Sequence, residues 1–399
     1  MDKPAILGGI PVRDKEHRIF YGHQSVTEED IEAVAESIRT EYLTGGPGIG
    51  RTEKRLCEIT DAKYAVLCAN GTAALHLACM AVGIKEGDEV IVSSITFAAS
   101  ANCVLYCGGT PVFADIRPDT YNIDVEDVRR KITDRTKAIV AVDFTGQAVQ
   151  LDELKEICKE HNLYLIEDAA HSIGTKYKGR PVGSIADITT FSFHPVKTVT
   201  AGEGGACMTN DPELYKKLHL LVTHGITKNP DEMERTAEGP WYMEQIMLGF
   251  NYRITEFQAA LLMSQLNKLE AFSKRRKEIR KAYDEAFKDE ECLFIQESIH
   301  ESDTTQHLYV IRLNPEKLSC TRREFFDALT AEGTCPQVHY IPVYRHPYYE
   351  HLGYKKGLCP NAEYYYENSM SIPFYAAMTD EDVADTIKAI KKLCAYYRK

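Results

Sequence analysis

Three short segments of this 399-residue chain carry side chains that could do chemistry together. The first, Asn70-Gly71-Thr72, precedes a predicted helix, where free backbone N–H groups, a hydroxyl and the helix dipole suit a phosphate. The second, Asp168, ends the apolar run LYLIED, where a partly desolvated carboxylate needs a charged partner. The third, Lys197 in SFHPVKTVTAGEGG, is a loop amine that could form an imine with a carbonyl if its pKa is lowered.

Each segment taken alone has an ordinary structural explanation. The Asn-Gly-Thr turn could be a helix N-cap, Asp168 could cap the following turn, and most loop lysines are simply exposed. Together they supply what pyridoxal phosphate (PLP) requires: a turn for its phosphate, an acid for its ring nitrogen and a lysine for its aldehyde. The combination therefore predicts a PLP site.

An alternation of short apolar strands and helices must position these residues. Strands are predicted at YAVLCA, DEVIVSS, TPVFADI, KAIVAVDF, LYLIEDAA, ITTFSF and GGACMTN, with helical segments between most of them. This pattern predicts an α/β fold with a mostly parallel central sheet covered on both faces. In such sheets ligands bind beyond the carboxyl ends of the strands, which is where the three segments lie.

The second half of the chain has a different pattern. A helical run from Thr255 to Glu290 contains no Gly or Pro and predicts one long helix that bridges two domains. Beyond it, HLYVIRL and PQVHYIPV predict strands, whereas TRREFFDALTAEG and the segment from Asp380 predict helices. We therefore predict a large domain over residues 1–265 and a small C-terminal α+β domain over residues 266–399. Near the other end, Thr27 predicts a helix start, with IEAVAESI as the apolar face.

Composition narrows the partners and the compartment. A net charge of −12 argues against a broad nucleic-acid surface, although a few local groups could still bind a small diphosphate. The chain shows no apolar run of about 18 residues for a membrane span and no secretory signal. Its 12 cysteines form neither a CxxC pair nor a zinc-like spacing, so we expect reduced structural thiols, no metal and a cytoplasmic protein.

Seven segments carry a resemblance to a known family. They are YLTGGPGIGRTEKRL, NGTAALHLA, ITFAASAN, EDAAHSIGTKYKGRPVGSIAD, SFHPVKTVTAGEGG, GFNYRITEFQAA and VHYIPVY. They occur in the order found in the DegT/DnrJ/EryC1/StrS sugar aminotransferases, which the chain resembles from about residue 20 to its C-terminus. The resemblance implies the PLP-dependent transferase fold of type I, PLP as the cofactor, and a homodimer with shared active sites.

The resemblance also implies roles for single residues. Lys197 resembles the Schiff-base lysine and Asp168 resembles the partner of the pyridinium nitrogen. Further positions match cofactor contacts: His171 beside the phenolic oxygen, Phe97 stacked on the ring, and Gly71, Thr72 and Ser192 on the phosphate. Asn251, and Arg253 with it, match residues that reach the cofactor site of the neighbouring subunit. For Phe97 and Asn251, a core aromatic and a helix-entry residue are ordinary alternatives.

The implied activity is transfer of an amino group from L-glutamate to a nucleotide-linked keto sugar. Relatives that remove a hydroxyl instead carry His at the position of Lys197, so the lysine argues against that branch. VDFTGQAV, PQVHYIPVY and SFHPVKTVTAGEGG most resemble the branch of the family that acts at C4 of a UDP-4-keto-6-deoxy-N-acetyl hexosamine, on the pseudaminic acid route; another nucleotide-linked keto sugar is the equal alternative. The candidate substrate residues are Tyr21, Arg253, His339 and Tyr340. The segment around Trp241 could be a substrate lid or a surface loop.

Other classes of function fit the sequence less well. A nicotinamide enzyme would need a GxGxxG between a strand and a helix, and GPGIG and GEGG have the wrong spacing or context. A cysteine desulfurase would need a reactive cysteine, and nothing singles one out. A non-catalytic regulatory protein on the same fold is the remaining alternative, which the presence of Lys197, Asp168 and the phosphate turn disfavours.

Overall fold

The computed structural model describes residues 2–299 and 302–399. Its centre is a seven-stranded sheet, with strands labelled in chain order: β1 Tyr64–Cys68, β2 Glu89–Ser93, β3 Thr110–Ala114, β4 Thr136–Val142, β5 Tyr164–Asp168, β6 Ile188–Ser192 and β7 Gly205–Thr209. The order across the sheet is β1-β7-β6-β5-β4-β2-β3. Neighbouring strands pair in parallel except β7, which is antiparallel to both β1 and β6. The predicted α/β fold with a mostly parallel central sheet is confirmed.

Helices cover both faces of this sheet. The α-helices of the described residues are α1 Glu28–Ile38, α2 Pro47–Thr60, α3 Gly71–Ala81, α4 Ala99–Tyr106, α5 Val125–Lys131, α6 Leu151–His161, α7 Pro212–Leu221, α8 Glu256–Asn267, α9 Leu269–Phe287, α10 Arg322–Ala331, α11 Pro347–His351, α12 Pro360–Asn368 and α13 Asp380–Tyr397. Apolar residues of α3, α4 and α7 form the core on one face. Those of α2, α5, α6 and α8 form the core on the other. Burial on both faces explains the continuous apolar runs of the strands.

A second, three-stranded sheet lies in the C-terminal part of the chain. It consists of β8 Leu293–Ile295, β9 Tyr309–Leu313 and β10 Ser369–Ile372, in the order β8-β9-β10 and all antiparallel. Residues of α9, α10 and α13 pack on it in a third apolar core. The division into domains at residue 265 stays a prediction, because residues between Leu308 and Tyr365 also pack in the core of the large sheet.

The helical run predicted from Thr255 to Glu290 is two helices, so the prediction of one bridging helix is wrong. α8 ends at Asn267 and α9 begins at Leu269, with Lys268 between them. The Lys268 ammonium lies 2.6 Å from the buried carboxylate of Asp30 in α1. The break therefore coincides with a tertiary contact, which a sequence free of Gly and Pro does not indicate.

The strand predicted at PQVHYIPV is also wrong for most of its length. Pairing near this segment is limited to a two-residue strand, Thr334–Cys335, beside Ile19–Phe20, and a single bridge from Gln337 to Ser371. Pro336 and Pro342 lack the N–H groups that a ladder needs. Other two-residue strands of the described chain are Lys176–Tyr177, Arg180–Pro181, Ile226–Thr227, Glu244–Gln245 and Ser302–Asp303.

The two isoleucines of α1 do not pack within the chain as the sequence analysis expected. Ile31 is 53% exposed and Ile38 is 55% exposed, whereas Asp30 is fully buried. Asp30 accepts hydrogen bonds from Ser264 (2.6 Å) and Gln265 (2.9 Å) of α8. A polar anchor therefore fixes α1 in place of an apolar face. Among the described residues, the helices are each too short or too polar to cross a membrane.

We predict that Asp30→Ala lowers the free energy of unfolding by about 3–5 kcal/mol, because it leaves the Lys268 charge without its buried partner. Urea denaturation at fixed protein concentration measures the change. Glu29→Ala is the matched control, because Glu29 is the exposed neighbour on the same helix, 3.7 Å from Lys268. The control should change the free energy by less than about 1 kcal/mol. Equal effects of the two substitutions would contradict the anchoring role of Asp30.

Candidate active site

A cavity of about 450 Å³ opens at the carboxyl ends of the parallel strands. The turn after β1, the end of β5 and the loop between β6 and β7 all line it. These are the places where the sequence analysis located its three chemical segments. The sheet topology brings them together because strands β1, β5 and β6 run in the same direction.

The turn after β1 forms a helix N-terminus that faces the cavity. Asn70 is the N-cap of α3 and its side chain accepts a hydrogen bond from the Ala73 N–H (2.8 Å). The N–H groups of Gly71 and Thr72 lie in the first turn, where an α-helix offers no carbonyl partner. A Cβ on Gly71 would lie 2.7 Å from the Cβ of Ser192, so the glycine forms a close cradle with Ser192. This cradle suits an anion such as a phosphate.

Asp168 is a buried acid at the end of β5. Its carboxylate accepts hydrogen bonds from the hydroxyl of Ser100 (2.6 Å) and from the N–H of Ala170 (3.2 Å). Burial raises the pKa of Asp168, whereas these hydrogen bonds and the charge of Lys197 act in the opposite direction. A cationic group in the cavity would hold this carboxylate ionised.

Lys197 lies in the loop from Phe193 to Gly204 that joins β6 to β7. The loop is closed at its base by hydrogen bonds from the Phe193 N–H to Gly204 and from the Ala201 N–H to Phe193 (2.8 and 2.9 Å). Burial lowers the pKa of the Lys197 amine to about 8, against the opposing charge of Asp168. The uncharged, nucleophilic form of this amine is therefore far more available near neutral pH than that of an ordinary lysine.

Uncharged imidazoles and aromatic rings form much of the remaining wall. Burial, with the charge of Lys197 and then His339, lowers the pKa of His171 well below its usual value. Burial and the Lys197 charge lower the pKa of His339 to about 3. The Tyr21 ring packs on His339 (centroids 5.1 Å apart), and Tyr340 packs near Phe97 (6.2 Å). The wall thus offers neutral hydrogen-bonding groups and flat apolar surfaces.

The cavity contains all the predicted site residues except Asn251 and Arg253. The residues that line it are Tyr21, Gly71, Thr72, Phe97, Asp168, His171, Ser192, Lys197, His339 and Tyr340. Asn251 and Arg253 are exposed and lie outside the cavity of their own chain. Trp241 is also outside it and is 72% exposed, so both alternatives for its segment, a substrate lid and a surface loop, stay open.

The sequence analysis did not single out two buried residues of this site. Ser100 donates to Asp168, and His307 lines the cavity beside His171. Signals for both existed, since Ser100 lies in the quoted segment ITFAASAN and His307 begins the predicted strand HLYVIRL. Neither residue could be assigned to the site from the sequence, because the assignment requires knowing which strand ends lie together.

The donor set can hold an aromatic aldehyde that carries a phosphate. The cradle of Gly71, Thr72 and Ser192 suits the phosphate, Asp168 suits a cationic ring nitrogen, and Lys197 suits the aldehyde. Within the described chain, the buried Nδ1 of His171 has no hydrogen-bond partner, so this side chain has an unused polar atom. The residues present therefore fit PLP.

A mostly parallel sheet with an acid and a loop lysine beyond its strand ends defines a PLP-dependent transferase of fold type I. A sequence match agrees with this class and identifies one family within it. Residues 24–391 match the DegT/DnrJ/EryC1/StrS aminotransferase family, and the chain belongs to that family. The family predicted from the sequence is confirmed.

Characterised relatives and solved structures are similar over nearly the whole chain. The Bacillus subtilis spore coat polysaccharide biosynthesis protein SpsC is 40% identical over 387 residues, covering 96% of this chain and 98% of SpsC. The Campylobacter jejuni UDP-4-amino-4,6-dideoxy-N-acetyl-beta-L-altrosamine transaminase is 38% identical over 378 residues, covering 93% and 97%. The structure of Helicobacter pylori PseC, an aminotransferase involved in pseudoaminic acid biosynthesis, is 32% identical and superposes with a TM-score of 0.89, covering 95% and 100%.

We predict that the Lys197 amine reacts with aldehydes at a lower pH than an ordinary lysine. Reductive methylation followed by peptide mass spectrometry should give a rate that rises to half its maximum near pH 8. An ordinary lysine has a pKa of about 10.4. Exposed Lys63 in the same digest is the control, and its labelling at pH 7.5 should be slower. A Lys197 rate that rises only above about pH 9.5 would contradict a buried amine of lowered pKa.

Proposed function

We propose that this chain is a PLP-dependent aminotransferase that moves an amino group from L-glutamate to C4 of a UDP-4-keto-6-deoxy-N-acetyl hexosamine. The observation that carries the proposal is the half-buried Lys197, with its amine of lowered pKa, in the same cavity as the buried acid Asp168 and the phosphate cradle. Each group is suited to a different part of one cofactor.

PLP, when bound, supplies an aldehyde carbon that accepts the amino group and a protonated ring that withdraws electrons. Asp168 would accept a hydrogen bond from the ring nitrogen, a bond to a charged group worth about 1.5–3 kcal/mol. Ser100 holds that carboxylate in place through its hydroxyl (2.6 Å). Phe97 offers a flat face, and His171 offers a neutral imidazole for the phenolic oxygen.

Lys197 is the group that moves the proton. Because its pKa is about 8, Nζ can take a proton from Cα of the amino donor. It would release this proton at the carbon of PLP that was the aldehyde carbon. With PLP bound, the amino group would stay on the cofactor between the two halves: L-glutamate would leave as 2-oxoglutarate, whose new oxygen comes from water, and the keto sugar would then gain the amino group and lose its oxygen as water. Neutral His171 and His339 do not compete for this proton, since their pKa values lie far below neutrality.

The choice of sugar is supported by two relatives that are both sugar aminotransferases. The Campylobacter jejuni relative is a transaminase for a UDP-linked 4-amino-4,6-dideoxy-N-acetyl sugar, and Helicobacter pylori PseC acts in pseudoaminic acid biosynthesis. Tyr21, His339 and Tyr340, at the cavity wall, are the side chains of this chain that we propose contact the sugar nucleotide. SpsC has similar identity and a spore coat polysaccharide role, which favours a different nucleotide-linked keto sugar as the second candidate.

We also propose a homodimer in which each subunit completes the site of the other. Large apolar side chains are exposed in two stretches of the chain, 31–43 and 241–257, namely Ile31, Ile38, Tyr42, Leu43, Trp241, Met243, Leu248 and Phe257. Burying such side chains against a second copy is favourable at about 25 cal/mol per Å². The 12 cysteines are free thiols, which suits a reducing cytoplasm.

The proposed activity predicts that Lys197→Ala loses at least about 10³-fold in turnover, because the substitution removes the amine that moves the proton. Protein, PLP, L-glutamate and the UDP-4-keto-6-deoxy-N-acetyl hexosamine are mixed, and 2-oxoglutarate and the amino sugar are followed by mass spectrometry. Lys63→Ala, an exposed lysine, is the control and should retain wild-type turnover.

The outcomes separate the parts of the proposal. Formation of 2-oxoglutarate without an amino sugar would leave the aminotransferase intact but would rule out this sugar. Failure to develop a visible absorption band with PLP would rule out the cofactor, and binding of PLP without any turnover would favour a regulatory protein.

Shared sites predict a specific result for mixed dimers of Lys197→Ala and Asn251→Ala. In the heterodimer, one site carries both substitutions and the other carries neither. Co-expression with two different tags and tandem purification isolates this species, which should have about half the turnover of the wild-type dimer. Both mutant homodimers should be nearly inactive. A heterodimer as inactive as its parents would show that Asn251 does not complete the partner's site.

A further inference from the structure

His307 is a buried histidine of the cavity wall with no role in the chemistry proposed above. It precedes Leu308 and strand β9, so the segment that enters the three-stranded sheet also reaches the cavity. Its side chain is 4% exposed, and it lies close to the ring of His171. A buried polar side chain in this position calls for a physical reason.

The backbone of His307 is held from two sides. Its N–H donates to the carbonyl oxygen of Thr145 (2.6 Å), and its own carbonyl oxygen accepts a hydrogen bond from Nη1 of Arg276 (3.2 Å). Thr145 is buried with φ of 64°, in the left-handed region that residues other than glycine rarely adopt. Arg276 is itself only 2% exposed. These contacts give the His307 ring a defined place.

The ring of His307 lies against the ring of His171. Their centroids are 4.4 Å apart and their planes are inclined at 40°. Among the residues that the structure describes, Nδ1 of neither ring has a hydrogen-bond partner, so the contact is not a hydrogen bond through Nδ1. The next aromatic ring, Phe144, is 6.1 Å from His171. His307 is therefore the nearest aromatic neighbour of His171, packed against it in a tilted arrangement.

The charged and titratable groups around this pair are Lys197 from the β6–β7 loop, His339 from the segment after α10, and Arg276 from α9. Burial first, and then these cations and imidazoles, lowers the pKa of both His171 and His307 well below the usual value. Both rings are therefore uncharged at neutral pH. Two neutral rings can stack closely without the repulsion that two imidazolium ions would have.

We propose that His307 is a positioning residue, whose ring face holds the His171 ring in the orientation that meets the phenolic oxygen of the cofactor. This inference rests on the proposed function, because His171 meets that oxygen only when PLP is bound. In this role, His307 contacts neither the substrate nor the cofactor. Its effect on the reaction passes through His171 alone.

The test compares two substitutions of similar bulk. His307→Phe keeps a flat ring, whereas His307→Leu fills the space without one. The measurement is the pH midpoint of the visible absorption band of the PLP-loaded protein, which does not require turnover. Negative charge on the phenolic oxygen favours a proton on the nearby nitrogen that would join Lys197 to PLP. A hydrogen bond donated to this oxygen disperses the charge and lowers the pKa of that nitrogen, so loss of the bond raises the midpoint. His307→Leu should raise it by about 0.5–1 pH unit, and His307→Phe should keep the wild-type value.

A double variant tests whether the effect passes through His171. His171→Leu should raise the midpoint by itself, and adding His307→Leu should raise it no further. Additive shifts, or a wild-type midpoint in His307→Leu, would overturn the inference while leaving the proposed function intact. Should His307→Leu fail to fold, His307→Asn, which is smaller and also lacks a ring, is expected to give the same rise. Failure of the wild-type protein to form a visible band would instead overturn the proposed function, and this inference with it.

Discussion

Burial of an acid and an amine at one edge of the sheet is the constraint on which the rest of the site depends. Asp168 and Lys197 share a cavity because β5 and β6 are parallel neighbours that end at the same edge. Burial raises the pKa of the carboxyl and lowers that of the amine, while their mutual attraction opposes both shifts. The balance leaves an acid that needs a cationic partner and an amine that loses its proton at a lower pH than an ordinary lysine does. Both properties follow from position in the fold.

The antiparallel strand β7 brings the phosphate cradle to this pair. Gly205, its first residue, pairs with Cys68 of β1 on one side and with Ser192 of β6 on the other. A Cβ at Gly205 would lie 2.3 Å from the carbonyl oxygen of Asn70, so only glycine allows the turn to approach. One strand therefore fixes both Gly71 against Ser192 and the far end of the Lys197 loop. The departure from a parallel sheet is what makes the site compact.

The sequence predicted those parts of the site that carry local signals. Asp168, Lys197 and Gly71 each follow an apolar strand, and strand ends can be recognised from a single chain. Ser100 and His307 could not be assigned, because their partners Asp168 and His171 are far away in sequence and meet only through the sheet order. The same reason explains the break at Lys268, where a contact with Asp30 of α1 coincides with the end of α8. Contacts between residues distant in sequence determine the placement of Ser100 and His307 and accompany the helix break at Lys268. Secondary-structure propensity does not predict such contacts.

Charge balance also bears on whether one chain can complete the site. Among the described residues that line the cavity, Lys197 is the only lysine or arginine, and Asp168 and Glu203 are acidic. The proposed donor carries two carboxylates and the proposed acceptor a diphosphate, whereas the helix dipole at Gly71 supplies only about half a positive charge. Arg253 is exposed on the segment that also exposes Leu248, outside the cavity of its own chain. In the proposed homodimer, a second copy that buries Leu248 and brings Arg253 to the cavity mouth would supply positive charge that the cavity of one chain lacks. The shortage of positive charge in the cavity of one chain is therefore a physical argument for the proposed shared site.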